Sequence, residues 1–125
     1  MNVSFIGSGN VATHLALALY RRGDVIDQVY SPNPAHAALL AGRVEAEAVG
    51  SLQMMRRDAD VYILAIPDNA LYDVVLDFRT DDALVLHTSG ATAMEVLKDT
   101  STRYGVLWSP QSFVRDVTGG TFFLV

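Results

Sequence analysis

Five stretches of this 125-residue sequence bring glycine or small polar residues to the end of an apolar run. They are Gly7-Ser8-Gly9-Asn10, Ser31 with Asn33, Pro67-Asp68-Asn69, His87-Thr88-Ser89-Gly90 and Ser109-Pro110-Gln111. His87 is the one group among them that titrates near neutrality, so it could donate a proton or hold a substrate. Ser89 and Gly90 could offer a hydroxyl and a backbone N–H to a ligand. Plainer roles compete with each of these. His87 could cap its strand through a backbone hydrogen bond, Ser89-Gly90 could merely turn the chain, and Asp68 could cap a helix instead of serving as an acid. His14, His36 and His87 are too far apart in sequence to give a metal-binding pair, and no Ser-His-Asp order is present.

The first stretch is the most informative. An apolar, β-prone run, Val3 to Ile6, stops at Gly7-Ser8-Gly9-Asn10-Val11-Ala12 and continues into a helix-like segment from Asn10 to Arg22. Strand, G-x-G-x-x-A and helix in that order form the pattern of a dinucleotide-binding βαβ unit. Gly7 permits the tight turn, Gly9 lets the backbone approach a pyrophosphate, and Ala12 allows close packing of helix on strand. Free N–H groups and a partial positive charge at the helix start would face the phosphates. A purely structural strand-to-helix turn is the competing reading.

The elements that must position these residues can be read in order. The first helix is apolar around most of its surface and ends at Arg21-Arg22-Gly23, with Gly23 as the left-handed cap. A second strand, Val25 to Tyr30, leads into Ser31-Pro32-Asn33-Pro34, where Asn33 and Pro34 suit the N-cap and first position of a helix to about Ala41. A short third strand from Val44 to Val49 and a helix-prone piece from Ser51 to Arg57 follow. Val61 to Ile66 is a continuous apolar run, as expected of a buried parallel strand. It meets Pro67-Asp68, with Asp68 as the cap of a helix from about Asn69 to Leu76. Strand five is Ala83 to His87. Thr92-Ala93-Met94-Glu95 reads as a capping box for a helix to about Lys98. Strand six is Tyr104 to Trp108, and Thr121 to Val125 is again strand-like. The alternation predicts an α/β fold: a doubly wound, mainly parallel sheet in three α/β/α layers, with right-handed crossovers. Ligands then bind beyond the carboxyl ends of the strands.

Composition narrows the function classes. Half of the residues are apolar, which fits one compact domain. The formal net charge of −5, with Lys98 the only lysine among nine basic residues, argues against a nucleic-acid surface. There is no cysteine for disulfides or thiolate metal sites. No apolar run is long enough to span a bilayer, and the N-terminus lacks a signal-sequence pattern, so a cytoplasmic location is expected. The chain ends on a strand-like segment, which suggests a domain that hands over to a second one.

Three stretches together resemble a known family: Val3 to Ala12, Asp58 to Asp68 and Leu86 to Gly90. They look like Rossmann-like proteins with a C-terminal domain of unknown function, relatives of F420-dependent NADP oxidoreductases and pyrroline-5-carboxylate reductase. The resemblance implies a pyrophosphate on Gly7, Ser8, Gly9, Asn10 and Val11, and an adenosine ribose near Ser31 and Asn33. Ile66, Pro67 and Asp68 would run under the nicotinamide ribose, beside Ser89 and Gly90. The acid that usually ends the second strand of NAD-binding domains is replaced by Ser31, which tilts the cofactor toward NADP, with NAD as the alternative. Gln111 and Phe113 match the family's segment after strand six, while the residues before them do not. The expected function is that of an NADP(H)-binding domain of an oxidoreductase acting on a small carbonyl or imine, a homodimer through a helical C-terminal domain. His87 and Ser89 are the catalytic candidates. A non-catalytic nucleotide-binding or sensing module is the alternative. An S-adenosylmethionine methyltransferase is a third, disfavoured by the missing acid at Ser31.

Overall fold

A computed structural model describes residues 1–89, 92–108, 113–116 and 121–123. The strands are β1 (Asn2–Ile6), β2 (Val25–Tyr30), β3 (Glu47–Val49), β4 (Val61–Leu64), β5 (Leu84–His87), β6 (Arg103–Trp108), β7 (Phe113–Asp116) and β8 (Thr121–Phe123). The helices are α1 (Asn10–Arg22), α2 (Pro34–Arg43) and α3 (Asp68–Asp77), with single 3-10 turns at Leu52–Met54 and Met94–Leu97. The strands form one sheet in the order β3-β2-β1-β4-β5-β6-β7-β8. The first six run parallel; β7 and β8 close one side antiparallel. β1 lies between β2 and β4, so the chain reverses its winding direction there. That is the Rossmann-type doubly wound sheet the sequence predicts.

Alternation along β1 and β4 builds two cores, one on each face. Val3, Phe5 and Ile63 join Ala16 and Leu19 of α1 and Leu40 of α2 on one side. Ile6, Tyr62 and Leu64 join Leu71 of α3, Phe78 and Leu97 on the other. A strand covered on both faces has no solvent side, which explains why Val61 to Leu64 is apolar without a break. Tyr62 still needs partners for its hydroxyl. It donates to the Arg56 carbonyl at 2.5 Å and accepts the Ala59 N–H at 3.1 Å, while its ring meets Phe78 edge-on at 4.9 Å.

Caps set the helix boundaries. Gly23 takes φ +102°, and the Gly23 and Asp24 N–H groups return to the Tyr20 and Leu19 carbonyls at 3.1 Å each. Asn33 Oδ1 accepts from the Ala35 and His36 N–H groups, and Pro34 opens α2. Both caps match the sequence expectation.

Other boundaries differ from it. α2 runs on to Arg43, and Glu45 adopts φ +54°, so β3 cannot begin at Val44 and spans only Glu47–Val49. The Ser51 to Arg57 segment holds a single 3-10 turn, because the Arg57 guanidinium bonds the Leu52 and Met55 carbonyls from outside. β4 stops at Leu64, since Ile66 is drawn into the turn toward α3. Pro67, not Asp68, holds the cap position of α3, and no side chain caps it. The capping box at Thr92 does not form either. The segment is one 3-10 turn preceded by Ala93, and Thr92 is engaged with Ser89 instead. Gly90, Ser109, Pro110 and Gln111 lie outside the described residues.

One core position is unfavourable. Ser4 is wholly buried beside Tyr62, and its hydroxyl has no hydrogen-bond partner among the described residues. A buried unsatisfied hydroxyl costs about 1–3 kcal/mol. Ser4→Ala is therefore expected to raise stability by about 1 kcal/mol after the small cavity is discounted. Chemical denaturation of the two proteins checks this.

Candidate cofactor-binding site

The first turn is seated on the end of β4. Gly7 has φ +116°, and a Cβ there would lie 2.2 Å from the Ala65 carbonyl oxygen. Its N–H reaches the Tyr30 carbonyl at 2.7 Å, and the Ala65 N–H reaches the Ile6 carbonyl at 2.9 Å. The end of β1 is thus tied to β2 through the Gly7 N–H and to β4 through the Ile6 carbonyl, and only glycine fits at the turn between them. Gly9 is different. Its φ of −76° suits any residue, and a Cβ there would meet nothing within 4 Å. Among the described residues nothing packs against that position, so the fold itself does not require a glycine there. Gly9 is also the N-cap of α1, with no side-chain hydrogen bond and no acid in the first turn, so the helix start presents unblocked N–H groups.

Three hollows meet around this turn, along the carboxyl edge of the sheet. One, of about 370 Å³, joins Gly9, Asn10 and Val11 to Ile66, Pro67, Asp68 and Ser89. A second, of about 280 Å³, is mostly apolar and lies between Tyr30 and Pro32 on one side and Ile66, Ala70 and Asp73 on the other. The third, of about 300 Å³, runs from Ser8, Gly9 and Asn10 down the groove between α1 and α2, past Thr13, His36 and Arg43. Ile66 is common to the first two, and Gly9 and Asn10 to the first and third. The shape is a bent channel with the glycine turn at its elbow. A further hollow at the opposite edge, of about 440 Å³, includes Asp58, Asp60, Asp81 and Asp82 with Arg57 and Arg103. Its carboxylates outnumber its guanidinium groups four to two, so it is a poorer place for a pyrophosphate than the helix start.

The remaining strand-end residues divide into two groups. Ser31 is nearly buried, and its hydroxyl accepts the Asn33 N–H at 3.2 Å; Asn33 in turn caps α2. Both shape the loop after β2, so their side-chain acceptors are already occupied. His87 is wholly buried. Its Nδ1 accepts the Ser89 N–H at 3.1 Å, which places the ring proton on Nε2, 3.3 Å from the Ala93 carbonyl. Burial holds its pKa below 6.5, and only partly offset by the Ala93 carbonyl and the Asp68 charge. The ring therefore joins the loops on either side of it, as in the strand-capping reading. Asp68 and Ser89, by contrast, meet at the cleft wall, where the Ser89 hydroxyl donates to Asp68 Oδ1.

Arg43, Thr13 and Asp73 line the channel without having stood out in the sequence. Arg43 is the instructive case. It follows His36 by seven residues, two helical turns, and so shares its face of α2. That spacing could have revealed it once the end of α2 was placed correctly.

With this geometry in place, comparison with known proteins decides the family. Residues 2–89 match the model described as NADP oxidoreductase, coenzyme F420-dependent. The chain belongs to that family. It is therefore a domain of a nicotinamide-nucleotide-dependent oxidoreductase family, and the matched span runs from β1 through the His87 loop. A Bacteroides fragilis protein assigned as an NADP oxidoreductase is 37% identical, with a TM-score of 0.83 over 90% of this chain and 45% of that one. The chain thus spans less than half the length of that relative. An imine reductase of Bacillus cereus, at 18% identity, aligns with a TM-score of 0.65 over 84% of this chain and 39% of that one. A prephenate dehydrogenase of A. aeolicus, solved with NAD+, is also 18% identical and aligns at 0.68, over 86% and 41%. At that identity the last two share the fold alone. None of the curated proteins matches the chain. Among the described residues, no helix is long and apolar enough to cross a membrane.

The His87 geometry has a consequence for acid stability. Because its pKa is lowered in the folded state, the unfolded chain binds more protons below 6.5. The contribution of His87 is thus complete above that value and is lost as pH falls through the lower folded pKa. His87→Gln is expected to flatten the decline of stability with falling pH in this window. Urea midpoints at several pH values read the slope.

Proposed function

We propose that the chain is the NADP(H)-binding domain of an oxidoreductase that reduces or oxidises a small carbonyl or imine compound. The observation that carries the reading is Gly9, a glycine that the fold does not require and that leaves open space over the start of α1. A pyrophosphate there would meet the N–H groups of Asn10 and Val11, while Gly7 holds the turn in place. The apolar hollow between Pro32 and Ala70 suits an adenine, and Asp73 could accept from its amino group. The hollow between Asn10 and Ser89 would take the nicotinamide half, over Ile66, Pro67 and Asp68.

When bound, the nucleotide would supply the hydride chemistry. The residues of this chain bind and orient it, and His87 acts as a positioning residue that holds Ser89. Ser31, Asn33, His36 and Arg43 would surround the adenosine ribose and its 2′-substituent. The absence of an acid at Ser31, together with the basic lining from α2, favours NADP over NAD. The substrate wall would come from a helical second domain that also builds a homodimer.

Calorimetric titration with NADPH and NADH tests the reading: NADPH should bind more tightly, and no binding of either at millimolar concentration would overturn it. Two glycine variants sharpen the test. Gly9→Ala should fold as the wild type yet bind NADPH about tenfold more weakly, a loss of about 1.4 kcal/mol. Gly7→Ala should instead lower the melting temperature, through the clash with Ala65. Arg43→Ala should weaken NADPH more than NADH; equal losses would remove Arg43 from the 2′-phosphate site.

The buried, doubly bonded His87 favours a second reading, a nucleotide-binding module without catalysis. In that case NADPH binds, but no panel of carbonyl and imine substrates oxidises it.

A further inference from the structure

Asp68 brings a formal negative charge to the half of the channel that leads to β5. It is the first residue of α3, exposed, on the wall of the hollow shared with Gly9, Asn10, Val11 and Ser89. Its carboxylate is held in place. Oδ1 accepts the Ser89 hydroxyl, and Thr92 Oγ1 lies 3.3 Å from the same hydroxyl oxygen. A serine hydroxyl has one hydrogen, so once it is given to Asp68 the Thr92 hydroxyl must be the donor in the second bond. The Ser89 backbone is fixed as well, through its N–H on His87 Nδ1. None of the described residues lining this hollow is basic. Two helix starts oppose it, those of α1 and α3, each equivalent to about half a positive charge. On the nucleotide reading the start of α1 faces the pyrophosphate, which leaves that of α3, less than the carboxylate carries.

On the nucleotide reading above, we infer that this half of the channel favours a cationic ring: the oxidised pyridinium form of the nicotinamide over the neutral dihydro form. The anchored carboxylate is the source of the preference. Oxidised and reduced nucleotides carry the same phosphates and riboses, so the contributions of Gly9 and α1 cancel in the ratio of their dissociation constants. What remains in the ratio is the ring and the field around it.

The test is calorimetric titration of the 125-residue chain with NADP+ and with NADPH, for wild type, Asp68→Asn and Ser89→Ala. Asparagine keeps the size of the side chain and an oxygen for the Ser89 hydroxyl, but removes the charge. Asp68→Asn should shift the affinity ratio about three- to tenfold toward the reduced form, the size expected of a partly screened charge at several ångströms. Ser89→Ala, which keeps the charge but frees it, should shift the ratio less and in the same direction. An unchanged ratio in Asp68→Asn, with both forms bound, overturns the inference and leaves the nucleotide reading intact. Failure of the wild type to bind either form overturns both. Should Asp68→Asn fail to fold by circular dichroism, the wild type decides. Raising salt from about 0.05 to about 0.5 M should move its ratio toward the reduced form as the charge is screened, and a constant ratio overturns the inference.

Discussion

The contact on which the structure depends is the one between Gly7 and the Ala65 carbonyl. Any side chain at Gly7 would overlap that oxygen, and the backbone there takes a conformation that other residues rarely adopt. Through it β1 meets β4 and, by way of the Gly7 N–H, β2. The place where the sheet reverses its winding and the place where the glycine turn presents α1 are therefore the same few atoms. The channel takes its position from this junction: Gly9 stands at the elbow because Gly7 is locked below it.

Around the junction, polar groups have two different jobs. Ser31, Asn33 and His87 spend their acceptors on neighbouring N–H groups and shape the loops. Asn10, Asp68 and Ser89 stand on the channel wall. Neutral His87 suits the first job, because a buried ring that accepts from one loop and donates to the next must carry one proton. The acid–base candidate of the sequence thus becomes a clasp between two loops. Asp68, expected both to cap a helix and to run along the cofactor cleft, lines the hollow beside Ser89, and Pro67 holds the cap position.

Much of this was legible in the sequence because local rules and tertiary demands agree there. Gly23, Asn33-Pro34 and the unbroken Val61 to Leu64 run each carry a backbone or burial requirement that no other residue type meets as well. The strand ends were legible for the same reason, as they mark where apolar burial stops. Three things were not. The capping box at Thr92 was outcompeted by Ser89, three residues before it, whose hydroxyl is itself held by Asp68 from 21 residues away. The start of β3 was displaced when α2 continued to Arg43 and Glu45 turned left-handed. The lining of the channel by Arg43 depended on that same boundary. At Thr92 the competing partner is anchored from a distant element, and at α2 the helix ran two residues past the end that local propensity marks.

The two-sided packing of β1 also fixes an order of events as the chain folds. Strand β1 can pair with β2 early, for Asn2 and Val25 are joined by one helix. Its other edge waits for β4, where the Asn2 N–H meets Asp60, 58 residues away. Closing so long a loop is slow relative to forming α1. Until it closes, nothing stands over Gly7, the second face of β1 remains wet, and the turn has its glycines but not its shape. During synthesis the glycine turn is thus among the first segments made and among the last to be finished, because its seat is encoded some sixty residues downstream.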